Sequence, residues 1–174
     1  NIPAGIKMAG VVKTDGYGHG AVPIAKAIDS FVSFFCVASA EEGVNLRMHH
    51  ITKPILILGP VPGDDYGDVV SFDLRPSIFT LEQAQALSDT AAVQRKNAYV
   101  HLAVDTGMSR IGMKPDEESA ELALKIAHLP FLEMEGVFTH MYRADEKDLT
   151  CAREQVALFK KFLGMLKGKG VEPK

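Results

Sequence analysis

Cysteine and basic residues are scarce in this sequence, and each shortage narrows the possible functions. The 174 residues contain two cysteines, Cys36 and Cys151, which form neither a metal-ligand spacing nor a disulfide framework. This use of cysteine favours a reducing, cytoplasmic location. Lysine and arginine together number 19, against 22 aspartates and glutamates. The chain therefore lacks the basic surplus that would indicate a nucleic-acid or anionic-membrane partner. Since the cysteines have no metal-ligand spacing, we also expect no metal site.

Long apolar runs are also missing. No stretch is long enough to span a bilayer, and the first residues do not resemble a signal peptide. We therefore expect no membrane partner. The apolar content of 47% is that of an ordinary globular protein, and the length suits one domain with a sizeable core.

One decapeptide, residues 11–20, stands out: Val-Val-Lys-Thr-Asp-Gly-Tyr-Gly-His-Gly. An apolar run that starts at Ile6 ends at Lys13, and an amphipathic helical pattern starts at Ala21. This order predicts a buried strand that carries Lys13 at its C-terminal end, a glycine-rich turn and a helix. The helix start is expected to offer free N–H groups to a phosphate. A lysine amine beside a phosphate site suits a Schiff base with pyridoxal phosphate (PLP).

The spacing of the decapeptide leaves two alternatives open. Lys13 could be a surface lysine that ends a strand before an ordinary turn. The spacing of Gly16, Gly18 and Ala21 also fits the dinucleotide-binding fingerprint loosely, with Glu41 near the place of a ribose-binding acid. A lysine directly before the loop has no role in that fingerprint.

Strand and helix signals alternate along the rest of the chain. Ser39 with Glu42, and Thr80 with Gln83, predict capping boxes at two helix starts, and Pro115 is predicted as the first residue of another helix. Further strands are predicted at residues 34–38, 54–59, 71–78, 98–105 and 132–139. Buried helix positions are predicted at Ala120, Ala123, Leu124 and Ala127, and, in a last helix from about Thr150, at Val156, Phe159, Leu163 and Leu166. Six such units indicate a parallel sheet covered by helices.

Several separate motifs, in the right order, resemble the alanine racemase family. The decapeptide is similar to the family's PLP-lysine motif, and the likeness continues through Val37–Gly43, Pro54–Gly59, Asp105–Gly112 and Glu135–His140. The resemblance implies the α/β fold of these fold-type III PLP enzymes, a (β/α)8 TIM-type barrel. Here it is truncated to about six β/α units in residues 1–174, and we expect the C-terminal β domain of the family to be absent.

The resemblance also implies roles for individual residues. Lys13 would hold PLP as a Schiff base and act as a base at the substrate α-carbon. Tyr17 would bind the cofactor phosphate, and His140 would lie beside the pyridine ring. Arg110 would bond the phenolic oxygen of the cofactor and lie near the substrate carboxylate, and the backbone near Met108 would also be used. Lys13, Arg110 and His140 all follow predicted strands, and the C-terminal strand ends are where strand–helix barrels carry their chemistry.

Two positions depart from the family pattern. The motif usually has alanine where Gly16 stands. Many relatives carry a modified lysine, whose negative charge holds the arginine, where this chain has Ala103. Either another anion replaces that charge, or Arg110 is oriented differently.

The function implied by the resemblance is racemisation of an amino acid, by default the interconversion of L- and D-alanine that supplies D-alanine to the cell wall. A serine or broad-specificity racemase stays open. From another class, a non-catalytic PLP carrier also stays open, although such proteins usually lack a loop like Tyr17–Gly20. The resemblance implies a homodimer whose missing domain supplies the second base, so residues 1–174 alone are expected to be inactive or very weak.

Overall fold

The computed structural model describes Pro3 and residues 5–173, and the chain divides into two compact units, Asn1–Ser77 and Ile78–Lys174. Within each unit, parallel strands alternate with helices, as the sequence predicts. No helix in the described ranges is long and apolar enough to cross a membrane.

The first unit builds four strands that pair in chain order. Strand β1 pairs with β2, β2 with β3 and β3 with β4, all in parallel. Every residue of β3 and β4 is buried, as is typical of parallel strands covered on both faces. The elements are β1 (Ala9–Val11), α1 (Lys13–Tyr17), α2 (Ala21–Ile28), a 3-10 turn (Asp29–Phe31), β2 (Phe34–Val37), α3 (Ala40–Met48), β3 (Ile55–Ile57), a second 3-10 turn (Gly63–Asp65), α4 (Tyr66–Ser71) and β4 (Arg75–Ile78).

The second unit contains one parallel strand pair and three helices. Its elements are α5 (Leu81–Gln94), β5 (Ala98–Val104), α6 (Glu117–Ala127), β6 (Leu132–Thr139) and α7 (Thr150–Gly168). The pairing of β5 with β6 shifts register between Val100 and His101. Gly136 lies at this irregularity, where a Cβ atom would come within 2.5 Å of the His101 ring. The ring Nε2 lies 3.1 Å from an oxygen of Glu135.

Each unit has its own apolar core. In the first unit the fully buried side chains include Val12, Phe35, Leu46, Ile55, Ile57 and Leu74, and in the second they include Ile78, Leu87, Leu102, Ile126, Phe162 and Leu166. Cys36 is buried in β2, and burial raises the pKa of its thiol to about 11. The thiol therefore stays protonated at neutral pH.

The two predicted capping boxes have different outcomes. At α5 the box is complete, because Thr80 Oγ1 accepts from the Gln83 N–H at 3.2 Å and Gln83 Oε1 accepts from the Thr80 N–H at 3.2 Å. At α3, Ser39 Oγ accepts from the Glu42 N–H at 3.3 Å. The prediction of the second bond of this box, from the Ser39 N–H to the Glu42 carboxylate, is wrong, because that carboxylate bonds two other backbone N–H groups.

The start of α6 is also different from the prediction. Asp116 is the N-cap, and its carboxylate accepts from the Ser119 N–H at 2.9 Å. This bond is the main reason why the pKa of Asp116 lies below its ordinary value. Pro115 therefore lies before the cap and is not the first helical residue. Aspartate is favoured at the N-cap because its carboxylate accepts a hydrogen bond from an N–H group of the first helical turn.

The buried faces of the last two helices match the predicted faces only in part. In α6 the face consists of Ser119, Ala120, Ala123 and Ile126, and in α7 of Ala152, Gln155, Phe162 and Leu166. Ala120, Ala123 and Leu166 are buried as predicted, whereas Ala127 is exposed and Leu124, Val156, Phe159 and Leu163 are half-buried. Both faces are rotated from the predicted ones toward the polar residues Ser119 and Gln155, which the apolar pattern does not include.

The rotated face of α7 can be tested by comparing two truncations. We expect Phe162→Ala to lower the free energy of unfolding by about 3 kcal/mol, because the side chain is fully buried and leaves a cavity. Leu158→Ala, on the exposed side of the same helix, should cost less than about 1 kcal/mol. Urea denaturation measures both values, and equal losses would contradict the assignment of the buried face.

Candidate active site

Lys13 lies just beyond the C-terminal end of β1, as the sequence predicts, but the strand is shorter than expected and only its central residue, Gly10, is buried. The preceding residue, Val12, is 1% exposed, and its N–H donates to the Cys36 carbonyl at 2.9 Å. The β1–β2 pairing therefore continues up to the residue before the lysine. The Lys13 side chain itself is half-buried. The strand pairing therefore fixes the backbone just before Lys13, and the loop that follows determines the direction of its amine.

Residues 13–20, here called the lysine loop, follow an unusual backbone path. Thr14, Asp15 and Tyr17 have φ values of 54°, 50° and 56°, in the left-handed region that side chains with a Cβ atom rarely adopt. Gly16, with φ of 62°, lies between them and adopts this conformation without strain. Glycine at this departure from the family motif therefore suits the backbone path of the loop.

The start of α2 is not the open phosphate cradle that the sequence analysis expected. The Asp15 carboxylate accepts from the Ala21 N–H at 2.8 Å, and Pro23 has no N–H to offer. A carboxylate already at a helix start disfavours a second anion there. His19 contributes a local contact, because its Nδ1 lies 3.2 Å from the Gly16 carbonyl oxygen. This contact helps to order the loop.

Tyr17 extends from the lysine loop with 60% of its surface exposed. Within the part of the chain that the structure describes, neither its hydroxyl nor the Lys13 amine has a hydrogen bond or an ion pair. The structure thus places these two predicted site residues on one loop, with their functional groups available to a ligand.

Residues 105–110, here called the arginine turn, follow β5 in the second unit. Asp105 Oδ1 accepts from the N–H groups of Gly107 and Ser109, both at 2.9 Å. These two bonds from one carboxylate hold the fold of the turn. Arg110 is exposed and Met108 is half-buried. The guanidinium of Arg110 forms no ion pair with any residue in the described ranges.

The second departure from the family pattern, Ala103, lies in β5 and is 2% exposed. It pairs in register with Phe138. Its methyl group cannot carry the charge that a modified lysine would supply. Since no carboxylate among the described residues pairs with Arg110, no side chain of that part of the chain replaces this charge. No group of three or more potential metal-binding side chains occurs there either.

His140 directly follows β6, and a buried glutamine ties this position to the arginine turn. Gln155 is 2% exposed, and its Nε2 donates to the Thr106 hydroxyl at 3.2 Å and to the His140 carbonyl at 3.3 Å. Its Oε1 accepts from the Tyr142 N–H at 3.4 Å. The amide orientation is determined, because a flipped amide would face a donor with a donor and an acceptor with an acceptor. Thr106 also bonds Thr139 at 2.7 Å.

The Gln155 contacts were missed in the sequence because a lone glutamine in an amphipathic helix resembles an exposed residue. Its position supplied a usable signal. Gln155 lies seven residues before Phe162 and three after Ala152, which is the spacing of one helix face. The arginine turn and the segment after β6 are therefore both held by one residue of α7.

Gln155→Met tests the strength of this anchor. Methionine keeps the side-chain length but leaves the buried partners of the amide without hydrogen bonds, so we expect the free energy of unfolding to fall by about 2 kcal/mol. Gln85→Met is the control, since Gln85 is exposed and bonds the exposed Asp89, and it should change stability by less than about 0.5 kcal/mol. Similar losses in urea denaturation would show that the Gln155 bonds do not anchor the two strand ends.

The site residues and the fold together define a class of protein: a strand–helix domain with a lysine, an arginine and a histidine placed after the C-terminal ends of its strands. Comparison with known proteins identifies the family. A sequence model described as "Alanine racemase, N-terminal domain" matches residues 2–174. The chain therefore belongs to this family, and the resemblance drawn from its motifs is confirmed.

Relatives with similar sequences and structures agree with this assignment. The alanine racemase of Symbiobacterium thermophilum is 44% identical over 168 residues, which cover 96% of this chain and 44% of the relative. A Helicobacter pylori alanine racemase is 39% identical over 175 residues, covering 98% and 46%. The alanine racemase structure from Clostridium difficile matches with a TM-score of 0.96 at 36% identity, over 99% of this chain and 45% of that one.

The structural match confirms the predicted fold class, the strand–helix barrel of the alanine racemase N-terminal domain, with six strands in the described part of this chain. The chain spans somewhat less than half the length of the relatives it matches.

Proposed function

We propose that this chain is the PLP-binding part of an alanine racemase, an isomerase that interconverts L- and D-alanine. The observation that carries the proposal is the position of Lys13, two residues after the last residue of β1 and at the start of a structured glycine-rich loop, in a chain that matches the family over residues 2–174. The Clostridium difficile relative has also been solved in complex with cycloserine, a fact that supports an amino-acid-sized ligand for this family.

The available side chains fit PLP. The aldehyde of the cofactor requires a primary amine, its phosphate requires hydrogen-bond donors, and its phenolic oxygen suits a cation. Lys13, Tyr17 and Arg110 supply one of each, and none of the three is engaged by another described residue. When bound, PLP stabilises the negative charge that remains on the substrate α-carbon after proton removal.

In this proposal each residue acts through a stated atom. Lys13 Nζ would bind the cofactor aldehyde and, as a free amine, would accept the α-proton of the substrate. The Tyr17 hydroxyl would donate to the cofactor phosphate. Arg110 would present forked donors to the phenolic oxygen of the cofactor and to the substrate carboxylate, beside the backbone of Met108. His140 would help to form the pocket for the pyridine ring.

The properties of the whole protein are also proposals that rest on the family. We propose that residues 1–174 form about six units of the barrel and that a further β domain carries the base for the opposite face of the α-carbon. The complete protein would act as a cytoplasmic homodimer and supply D-alanine for the cell wall. The length of the relatives supports a further domain, since this chain covers 44% of the Symbiobacterium thermophilum enzyme.

Lys13→Ala in the complete gene product tests the central assignment. The wild-type protein should show an imine absorption band at about 420 nm with PLP and should form D-alanine from L-alanine, and both should be lost in the variant. Lys7→Ala is the control, because Lys7 is exposed and lies before β1. A wild-type band without D-alanine formation would identify a PLP carrier instead, and a wild-type protein without any imine band would overturn the proposal.

Arg110→Ala tests the role of the arginine turn. Because the side chain is exposed, we expect the free energy of unfolding to change by less than about 0.5 kcal/mol. Turnover of alanine should fall by about a hundredfold, since a fixed charge at the reacting groups is lost. Arg153→Ala, an exposed arginine of α7 in the same unit, should leave turnover unchanged. Wild-type kinetics in Arg110→Ala would remove this residue from the site.

A further inference from the structure

The carboxylate of Glu42 joins the ends of two neighbouring strands. Its Oε1 accepts from the Thr14 N–H and its Oε2 from the Ala38 N–H, each at 2.7 Å. Ala38 is the residue after β2, and Thr14 is the residue after Lys13. Hydrogen bonds to an ionised carboxylate are stronger than those between neutral groups. One side chain of α3 therefore binds the lysine loop to the end of β2.

The lysine loop needs such an anchor because its backbone is strained. Thr14, Asp15 and Tyr17 all have left-handed φ values, and a strained backbone persists only where its surroundings hold it. Two of the holding bonds are local, namely Gly16 N–H to the Val12 carbonyl at 2.9 Å and Ala21 N–H to Asp15 at 2.8 Å. The Glu42 bond to Thr14 differs from these, since its partner lies 28 residues away on another helix.

We propose that Glu42 is a positioning residue for Lys13: its carboxylate holds the lysine loop against the end of β2 and so determines where the Lys13 amine points. The expected effect of Glu42 on catalysis rests on the proposed function. The expected effect of Glu42 on the placement of the lysine loop does not, because it can be measured without cofactor. Glu42 itself touches neither substrate nor cofactor in this proposal.

The chemistry of the carboxylate suggests a clean substitution. Glu42→Gln keeps the shape of the side chain, but its amide has one acceptor atom where two N–H groups need acceptors. One strand end therefore loses its bond and faces an NH₂ group instead. Glu42→Asp keeps both acceptors and the charge, but its shorter side chain does not reach both amides at once. The aspartate variant should lie between wild type and Glu42→Gln.

The matched control is Glu41→Gln. Glu41 lies in the same first turn of α3, carries the same charge and is exposed. Its substitution removes the same favourable charge from the helix start without touching the lysine loop. A difference between the variants at positions 41 and 42 therefore reports the two backbone bonds.

Two measurements on the complete protein decide the proposal. In cofactor-free protein, hydrogen exchange at residues 13–20 should rise by about tenfold or more in Glu42→Gln and stay near wild type in Glu41→Gln. In the loaded enzyme, kcat for alanine should fall by about tenfold to a hundredfold in Glu42→Gln with KM changed by less than about threefold. Glu42→Asp should recover part of both effects.

The possible results separate this inference from the proposed function. Unchanged exchange at residues 13–20 in Glu42→Gln would overturn the positioning role, and so would equal effects of Glu41→Gln. If Glu42→Gln does not fold, Glu42→Asp carries the test, and wild-type exchange and kcat in that variant would overturn the role. If the wild-type protein fails to bind PLP, the proposed function fails, while the exchange data on cofactor-free protein still decide whether Glu42 holds the loop.

Discussion

The first unit depends on one carboxylate that accepts from two backbone amides. Glu42 occupies the first turn of α3, where a negative charge is favourable for the helix, and the same charge bonds Thr14 and Ala38. Helix start, strand end and lysine loop are thus stabilised by a single group. This sharing explains how a loop with several left-handed residues can follow a three-residue strand and still have one defined conformation.

The second unit solves a similar problem with a neutral side chain. Gln155 joins the arginine turn to the segment that begins with His140, but it is almost fully buried. A charged residue at this depth would lose more hydration free energy than its hydrogen bonds return. An amide has both a donor and an acceptor end, so it can bond a hydroxyl, a carbonyl and an N–H group together. Burial therefore explains why the two units use different anchors.

Much of this fold could be predicted from the sequence, because strand positions depend on local apolar patterns. Strand β6 spans the predicted residues, His140 directly follows it, and Lys13 lies one residue beyond the position that follows β1. The partners of Glu42 could not be predicted, since its spacing from Ser39 also fits a capping box and its actual partner Thr14 is distant in sequence. The inward face of α7 was missed for a related reason: burial of a polar residue depends on partners that only the folded chain brings near.

The compact arrangement around the lysine loop has a consequence for how this protein can change. The anchors of the loop described above all belong to the stretch from Val12 to Glu42, which directly follows β1 and contains α1, α2, β2 and the start of α3. A single short part of the chain therefore determines the direction of the Lys13 amine. Substitutions on the outer surfaces of later helices can therefore change the stability of the protein without changing the direction of that amine.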